Sequence, residues 1–422
     1  MLLTPTLEFD LVAAESDDRL SVLVELAAPK ARDPKVTRPP ATLQLVLDRS
    51  GSMAGGRLDA ALRAIESLLG RLSDEDRFGL VVFDDEAQAL VPCGPLDDRG
   101  GIRHALAHLT PGSCTNLSAG LGRGILEARR VAGEGGATLV VLSDGHANEG
   151  VTDPAALERL AVAARRERIT ISTLGIGLGY DEDLLTAIAR GGAGDTHFCA
   201  HADETIPALA GEVGHLLDRV AQSVSLEVVP CAPVQSVSLF NDLPCAAMGQ
   251  DGMVVELGDF FAGEERRLLL EFEIPAIASL GLARVGDLRV RWLDAATLDG
   301  HLAEVPLHVN VVPGDQVAGR IPHPTVRTER VFQSAQRAKR DAAEALRRGD
   351  ASAAAARLRD AGDELSAFMP SAAPAMADEL RDEAAVLGGL AQECAAGDDA
   401  AAAKRAAADR HRKERRRGRP AA

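Results

Sequence analysis

The sequence predicts an α/β protein: a doubly wound, mostly parallel sheet, an antiparallel β-sandwich and a C-terminal α-helical region. Three observations carry that expectation. From about 41 to 222, short apolar runs alternate with helical stretches. From 223 to 312, strand-like runs are separated by Gly, Pro and Asp with no helix-length pattern. From 326 to 416, Ala, Arg, Asp and Glu dominate. Strands interleaved with helices imply parallel pairing beneath helices on both faces, whereas closely spaced strands with turn residues imply packed antiparallel sheets. The 422-residue length allows two or three domains. With 46% hydrophobic and 26% charged residues, wholesale disorder is excluded.

In chain order, 7–12 (LEFDLV) and 20–27 (LSVLVELA) read as short strands around the polar ESDD. Strands are then expected at 43–47, 78–83, 87–91, 138–142, 169–175 and 196–200, and helices at 57–71, 98–109, 117–132, 154–167, 182–190 and 204–221. The sandwich runs are SVSLEVV, QSVSLF, GMVVELG, RRLLLEFEI, DLRVRWL and EVPLHVNVV. Adding the two N-terminal strands closes that sandwich better, so the α/β unit is expected to be inserted near its start. The division is then 1–38 (strands joining the sandwich), 39–222 (the α/β domain), 223–314 (the sandwich) and 325–416 (the helical region with a basic tail). In that last region Val331, Ala335, Ala338, Ala342 and Leu346 recur at helical spacing. Gly349-Asp350 and Gly397-Asp398 each precede an Ala run, with Gly as helix stop and Asp as the next N-cap.

The chemistry concentrates in Asp48-Arg49-Ser50-Gly51-Ser52, directly after the first α/β strand. Open α/β sheets bind ligands at the carboxyl ends of their strands. One carboxylate and two hydroxyls at alternate positions in a Gly-permitted turn can converge on one point. Oxygen-only donors select a hard cation, and Mg²⁺ keeps several waters. The loop holds no His or Cys, which counts against zinc. Two further segments offer oxygen: Ser113-Cys114-Thr115-Asn116-Leu117-Ser118 through Thr115, and Leu142-Ser143-Asp144-Gly145 through Asp144.

These three segments, in this order, resemble the metal-ion-dependent adhesion site of von Willebrand factor A (vWA) domains, over roughly 41–222. The resemblance implies that Ser50, Ser52 and Thr115 coordinate the ion, Thr115 in one conformation only. It implies that Asp48 and Asp144 act through bound water and hold the hydroxyls, leaving a position for a partner's carboxylate. Mg²⁺ is the implied ion, with Mn²⁺ or Ca²⁺ as alternatives. FDDEA at 83–87 and the downstream sandwich and helices are similar to bacterial vWA proteins related to inter-alpha-trypsin-inhibitor heavy chains and calcium-activated chloride-channel-like proteins.

Other features weigh less. His104 and His108, at i and i+4 of an expected helix, lack a third ligand and read as a surface pair. His197, Cys199 and His201 alternate on the last strand of the sheet and read as packing residues. Gly175, Gly177 and Gly179 follow the fifth strand, where a dinucleotide fingerprint does not belong. Arg348-Gly349-Asp350 is explained by helix stop and cap. Asn116-Leu117-Ser118 fits a glycosylation acceptor, yet it sits inside the expected metal loop.

The formal charge is −17 and aromatics are 3% of residues, which argues against nucleic acid as the general partner. The exception is the tail from Lys404, with nine Lys/Arg against Asp409 and Glu414. It reads first as a solvated helix end and second as a dock for an acidic partner, anionic lipid or nucleic acid. No apolar run approaches the roughly 18 residues of a membrane span. Residues 1–10 read without a secretory signal, and six cysteines without a C-x-x-C pair read as thiols of a cytoplasmic protein. Serine-hydrolase, zincin and P-loop motifs do not occur. The expected role is therefore a non-enzymatic module that binds the acidic side chain of a protein partner through the ion. An adaptor subunit of an ATPase or of a kinase/phosphatase stress system is the alternative, and a metal-dependent hydrolase a weaker one.

Overall fold

The N-terminal strands are β1 (Leu2–Leu7), β2 (Leu11–Ala13) and β3 (Asp18–Ala27). The single strand expected over 7–12 is thus two short strands, broken at Glu8-Phe9-Asp10. They pair in different sheets, so the chain must turn between them. The structure, a computed structural model, describes all residues except 31–39, 134, 145–146, 178–180, 200, 202–203, 250–251, 398 and 416–422.

The α/β unit follows as β4 (Thr42–Asp48), α1 (Arg57–Leu69), β5 (Arg77–Phe83), β6 (Ala87–Pro95), α2 (Arg99–Ala107) and α3 (Leu117–Arg129). It continues with β7 (Ala137–Ser143), α4 (Pro154–Arg166), β8 (Ile169–Ile176), α5 (Glu182–Gly192), β9 (Ala193–Cys199) and α6 (Thr205–Leu217). Its six-stranded sheet runs β6-β5-β4-β7-β8-β9, parallel except where β5 meets β6. Strand β4 is central, and all seven of its residues are buried. Alternate residues serve two cores: Leu43, Leu45 and Leu47 pack with α1 on one face, while Val46, Val81 and Phe83 pack with α3 on the other. That is a doubly wound sheet built from period-two patterning. Each of α2 to α5 starts on an Asp or Asn whose carbonyl or carboxylate oxygen accepts from a first-turn backbone N–H. Helix α3 lies close to the sheet because Gly120 and Gly124 face it. A β-carbon there would come within 2.5 Å of the Phe83 ring and 2.3 Å of Val46.

The next seven strands are β10 (Arg219–Pro230), β11 (Ser236–Leu239), β12 (Cys245–Met248), β13 (Gly252–Phe261), β14 (Glu265–Ile274), β15 (Gly281–Asp294) and β16 (Gly300–Val312). Helix α6 ends at Leu217 and β10 begins at Arg219, so the helix expected to reach 221 stops four residues early and becomes a strand. Two sheets form, β1-β3-β14-β11 and β12-β13-β10-β15-β16-β2. All pairings are antiparallel except that of β16 with β2. Leu20, Val22, Val24 and Leu26 of β3 meet Val224, Leu226, Leu288 and Val290 in one shared core.

Four α-helices follow among the described residues: α7 (Pro324–Arg347), α8 (Ala351–Phe368), α9 (Ala377–Ala396) and α10 (Asp399–Arg415). Phe332, Leu358, Leu365, Leu380 and Leu387 form their core, with alanines filling the close contacts. Val326 of α7 also covers Leu23 and Leu269 on the outer face of the smaller sheet, which explains why Leu23 stands among the polar Ser21 and Glu25 on that face of β3. Gly349 takes φ 78°, and the Asp350 carboxylate accepts from Ala353 N–H at 2.9 Å, so that Arg-Gly-Asp is a helix stop and cap. Gly397 has φ 83°, but Asp398 lies outside the described residues.

The basic tail is not a solvated helix end over its described length. Lys404, 4% exposed, pairs with Glu182 of α5 at 3.2 Å. Arg410 pairs with Asp242 at 3.1 Å, and Lys413 with Glu383 at 2.5 Å. Its positive charges are drawn onto acids of this same chain.

Candidate metal centre

The centre forms at the carboxyl ends of β4 and β7. Asp48 ends β4 and is fully buried, rather than at the surface rim its loop position suggests. Its carboxylate accepts from Ser50 N–H at 2.8 Å and from Ser143 Oγ at 2.6 Å. Burial pushes its pKa up, hydrogen bonds from Ser143 and Ser50 pull it back, and the nearby Asp144 charge adds to the rise. The buried carboxylate therefore folds the turn over itself and ties it to β7.

Ser50 and Ser52 project from that turn with their Oγ atoms 3.0 Å apart. Ser52 Oγ donates to Asp144 Oδ1 at 2.7 Å. Asp144 is 1% exposed, and its other oxygen takes the guanidinium of Arg57 at 2.7 Å. The same Nη1 donates to the Ser52 carbonyl at 2.8 Å.

The third segment is stitched to the first through backbone. Gly112 N–H donates to Arg49 O at 2.5 Å and Gly51 N–H to Ser113 O at 3.0 Å. Gly112 leaves room for the Asp84 carboxylate, since a β-carbon there would fall 2.1 Å from Asp84 Oδ2 and force that side chain to move. Thr115 is buried, its N–H donating to Asn148 Oδ1 at 2.9 Å, while Asn148 N–H returns a bond to Thr115 O at 3.1 Å. Asn116 caps α3, its side-chain oxygen accepting from Ala119 N–H at 3.1 Å.

The fold thus brings Asp48, Ser50, Ser52 and Asp144 into one hydrogen-bonded chain and ties the Thr115 segment to the same turn. The donors are all oxygen. Two buried carboxylates and two hydroxyls stand in this chain, a donor set suited to a hard divalent cation, while the guanidinium of Arg57 pairs with one of the carboxylates. Sequence reasoning did not single out Ser143, Arg57 or Asn148. Ser143 stands in the S-D-G triplet and could have been found there. Arg57 and Asn148 reach the site by tertiary packing, for which the sequence gives no local signal.

The other candidates stay apart. His104 and His108 are exposed and meet edge to face, ring centroids 4.5 Å apart. His197 and Cys199 lie on β9, but His201 lies beyond its end, so the three do not share a strand face. The Cys199 thiol is pushed up to about 12, by burial first and the Glu204 charge second, which makes it inert at neutral pH. Gly177 takes φ 77°, while Gly179 and Gly145 lie outside the described residues. Among the described residues no His/Cys/Asp/Glu cluster is suited to a metal, and no helix is long and apolar enough to cross a membrane.

Residues 43–211 match the von Willebrand factor type A domain family. A vWA protein from Catenulispora acidiphila superposes with TM-score 0.71 at 17% identity, over 90% of this chain and 89% of its own. The ArnB paralog VWA2 from Sulfolobus acidocaldarius gives 0.66 at 13% identity, over 98% of both. An uncharacterised Synechocystis protein is 28% identical over 74% of each chain. The E3 ubiquitin-protein ligase WAV3 of Arabidopsis thaliana is 27% identical over 57% of this chain and 32% of its own. Inter-alpha-trypsin inhibitor heavy chain H1 of Mesocricetus auratus is 28% identical over 36% and 18%. Residues 43–211 are thus a vWA domain, and inter-alpha-trypsin inhibitor heavy chains are among the relatives of this chain. Domains of this kind are commonly metal-dependent protein-interaction modules.

Proposed function

We propose that this chain binds a divalent cation at Ser50, Ser52 and Thr115, with Asp48 and Asp144 holding those hydroxyls and acting through water. Through that ion it would bind an acidic side chain of a protein partner. The observation that supports this best is the run of contacts from buried Asp48 through Ser50 and Ser52 to Asp144. It gathers oxygen donors from separate loops at the carboxyl edge of the sheet. Mg²⁺ is the proposed ion, with Mn²⁺ or Ca²⁺ able to use the same donors.

On this reading the role is regulated assembly, since the contact needs metal and a partner's acid together, and it is not enzymatic. Ser50 would be a poor nucleophile, with its oxygen committed to the ion. The ligase activity named among the relatives belongs to a protein of which this chain spans 32%. Six free thiols, of which Cys93, Cys199 and Cys394 are buried, support a reducing cytoplasmic setting. The same reading treats 39–222 as the binding unit, 1–38 with 223–314 as its two-sheet support, and 325–416 as a helical brace.

The test is Mn²⁺ titration by calorimetry of the wild type and of Asp48→Ala, with Asp48→Asn as the variant of nearly equal volume. The expected outcome is a single site in the wild type and at least a hundredfold weaker binding in both variants. Unchanged binding in the variants would move the metal elsewhere.

A further inference from the structure

The geometry points to Arg57 as a specificity-determining residue of this centre, one that weakens its hold on the cation and strengthens its hold on the incoming carboxylate. This inference rests on the metal-dependent reading above and adds a residue that the adhesion-site pattern does not contain.

Arg57 is the first residue of α1, and Gly56 before it takes φ 97°, which turns the chain out of the metal loop and into the helix. Its guanidinium links two of the three loops, meeting Asp144 Oδ2 at 2.7 Å and the Ser52 carbonyl at 2.8 Å. A third element lies near it. The backbone after β8 passes so near that a β-carbon on Gly177 would sit 3.4 Å from Arg57 Nε and 3.5 Å from Nη2. Arg57 is therefore fixed in place between loops, with a defined relation to the donors.

The pair is asymmetric. The Asp144 side chain is 0% exposed, whereas that of Arg57 is 39% exposed. The carboxylate is sealed beneath the guanidinium, while the Arg57 side chain reaches solvent, where a carboxylate approaching the proposed ion would meet it. An ordinary surface ion pair would have both members in water and would matter little.

Charge bookkeeping then gives the two effects opposite signs. Asp48 and Asp144 carry two negative charges and Arg57 one positive. A divalent cation brings this set to one net positive charge, and a partner's carboxylate brings it to neutrality. With a neutral side chain at 57, the cation alone would already neutralise the set, and the carboxylate would leave it negative. Arg57 therefore opposes entry of the metal, both by repulsion and by occupying Asp144, while it favours entry of the carboxylate. Over a few ångströms in a partly buried site such a charge changes an equilibrium by about a factor of ten.

The experiment uses the full chain as wild type, Arg57→Gln and Arg57→Lys. Mn²⁺ affinity is measured by calorimetry. Acetate is then titrated into the Mn²⁺-loaded proteins while water-proton relaxation reports displacement of metal-bound water. Arg57→Gln should bind Mn²⁺ about tenfold more tightly and acetate at least about fivefold more weakly. Arg57→Lys, which keeps the charge, should track the wild type in both. Should Arg57→Gln fail to fold by circular dichroism, Arg57→Met provides the same neutral test. Equal or weaker Mn²⁺ binding in the folded neutral variant overturns the inference, because a merely structural residue would lower both affinities together. A wild type that binds no Mn²⁺ overturns the metal reading itself and this inference with it, an outcome distinct from a wild type that binds and an indifferent Arg57.

Discussion

Thr115 and Ser50 occupy different positions in the proposed centre, and that difference can be measured. Ser50 shares its turn with Asp48 and touches Ser52, so Ser50→Ala removes a proposed ligand and one link in the chain to Asp144. Thr115 lies on a separate loop held by Asn148 and by backbone bonds between Gly51 and Ser113. Its backbone anchoring survives truncation of the side chain. Thr115→Ala should therefore weaken Mn²⁺ binding less than about threefold, yet release the partner in a co-purification run with and without chelator. Ser50→Ala should weaken Mn²⁺ binding more than about tenfold and lose the partner too. Full partner retention by Thr115→Ala would place the contact outside the centre. At this scale the sequence was informative where chemistry is local: a carboxylate and two hydroxyls at alternate positions after an apolar strand announce themselves. Arg57 and Asn148 did not, because their meaning comes from which loops stand opposite them. A helix-starting Arg looks like any solvated cation until Asp144 is seen beneath it.

Helix α10 shows the same limit one level up. Read as a string, its Lys and Arg residues suggest a solvated tail, yet the helix is anchored by a buried ionic cluster. Lys339, fully buried in α7, lies 2.5 Å from both Glu383 of α9 and Asp409 of α10. Lys413 lies 2.5 Å from Glu383 and 3.1 Å from Asp409, and Gln336 donates to Glu383 at 2.8 Å. Such a cluster is costly to break and sets which helix faces which. For Asp409, burial alone would raise the pKa, but Lys339 and Lys413 outweigh it and bring it down to about 2; the same balance lowers Glu383. Groups with depressed folded pKa values contribute stability that is present above their unfolded values near 4 and lost as pH falls toward 2. For Lys413, burial lowers the pKa, but Glu383 and Asp409 more than offset it, so its share holds below about 10.5 and fades above. Urea midpoints should accordingly be flat between about pH 5 and 9 and fall below pH 4. Asp409→Asn should cost about 2 kcal/mol at pH 7, in line with the shift, and flatten the acid limb. An acid limb unchanged in Asp409→Asn would show that the cluster does not hold the helix.

At the scale of the whole molecule, the vWA unit packs against the other sheets through β9 and β13 and against the last helices through α10. The interleaving of strands and helices made the doubly wound sheet legible, because a buried parallel strand such as β4 is mostly apolar, with Leu43, Leu45, Val46 and Leu47 at its centre. The split of the N-terminal stretch into β1 and β2 was not legible, since nothing in LEFDLV tells the two sheets apart. The fold nonetheless gives the N-terminal strands a definite task. Strand β3 lies between β1 and β14, pairing from Asp18 with Ile274 through Ala27 with Glu265. Four of its residues, Leu20, Val22, Val24 and Leu26, belong to the two-sheet core, while Leu23 takes Val326 of α7 on the other face. Its removal would uncover β14 as an edge strand, strip the core of side chains worth about 2 kcal/mol each, and leave the last helices without part of their seat. A chain starting at residue 38 should therefore aggregate through the bared β14 edge. Light scattering and a thermal melt of that truncation decide the matter. Aggregates, or a melting temperature lowered by more than about 10 °C, are expected. A monomer that melts like the full chain would show that the vWA unit and its two sheets stand without the N-terminal strands.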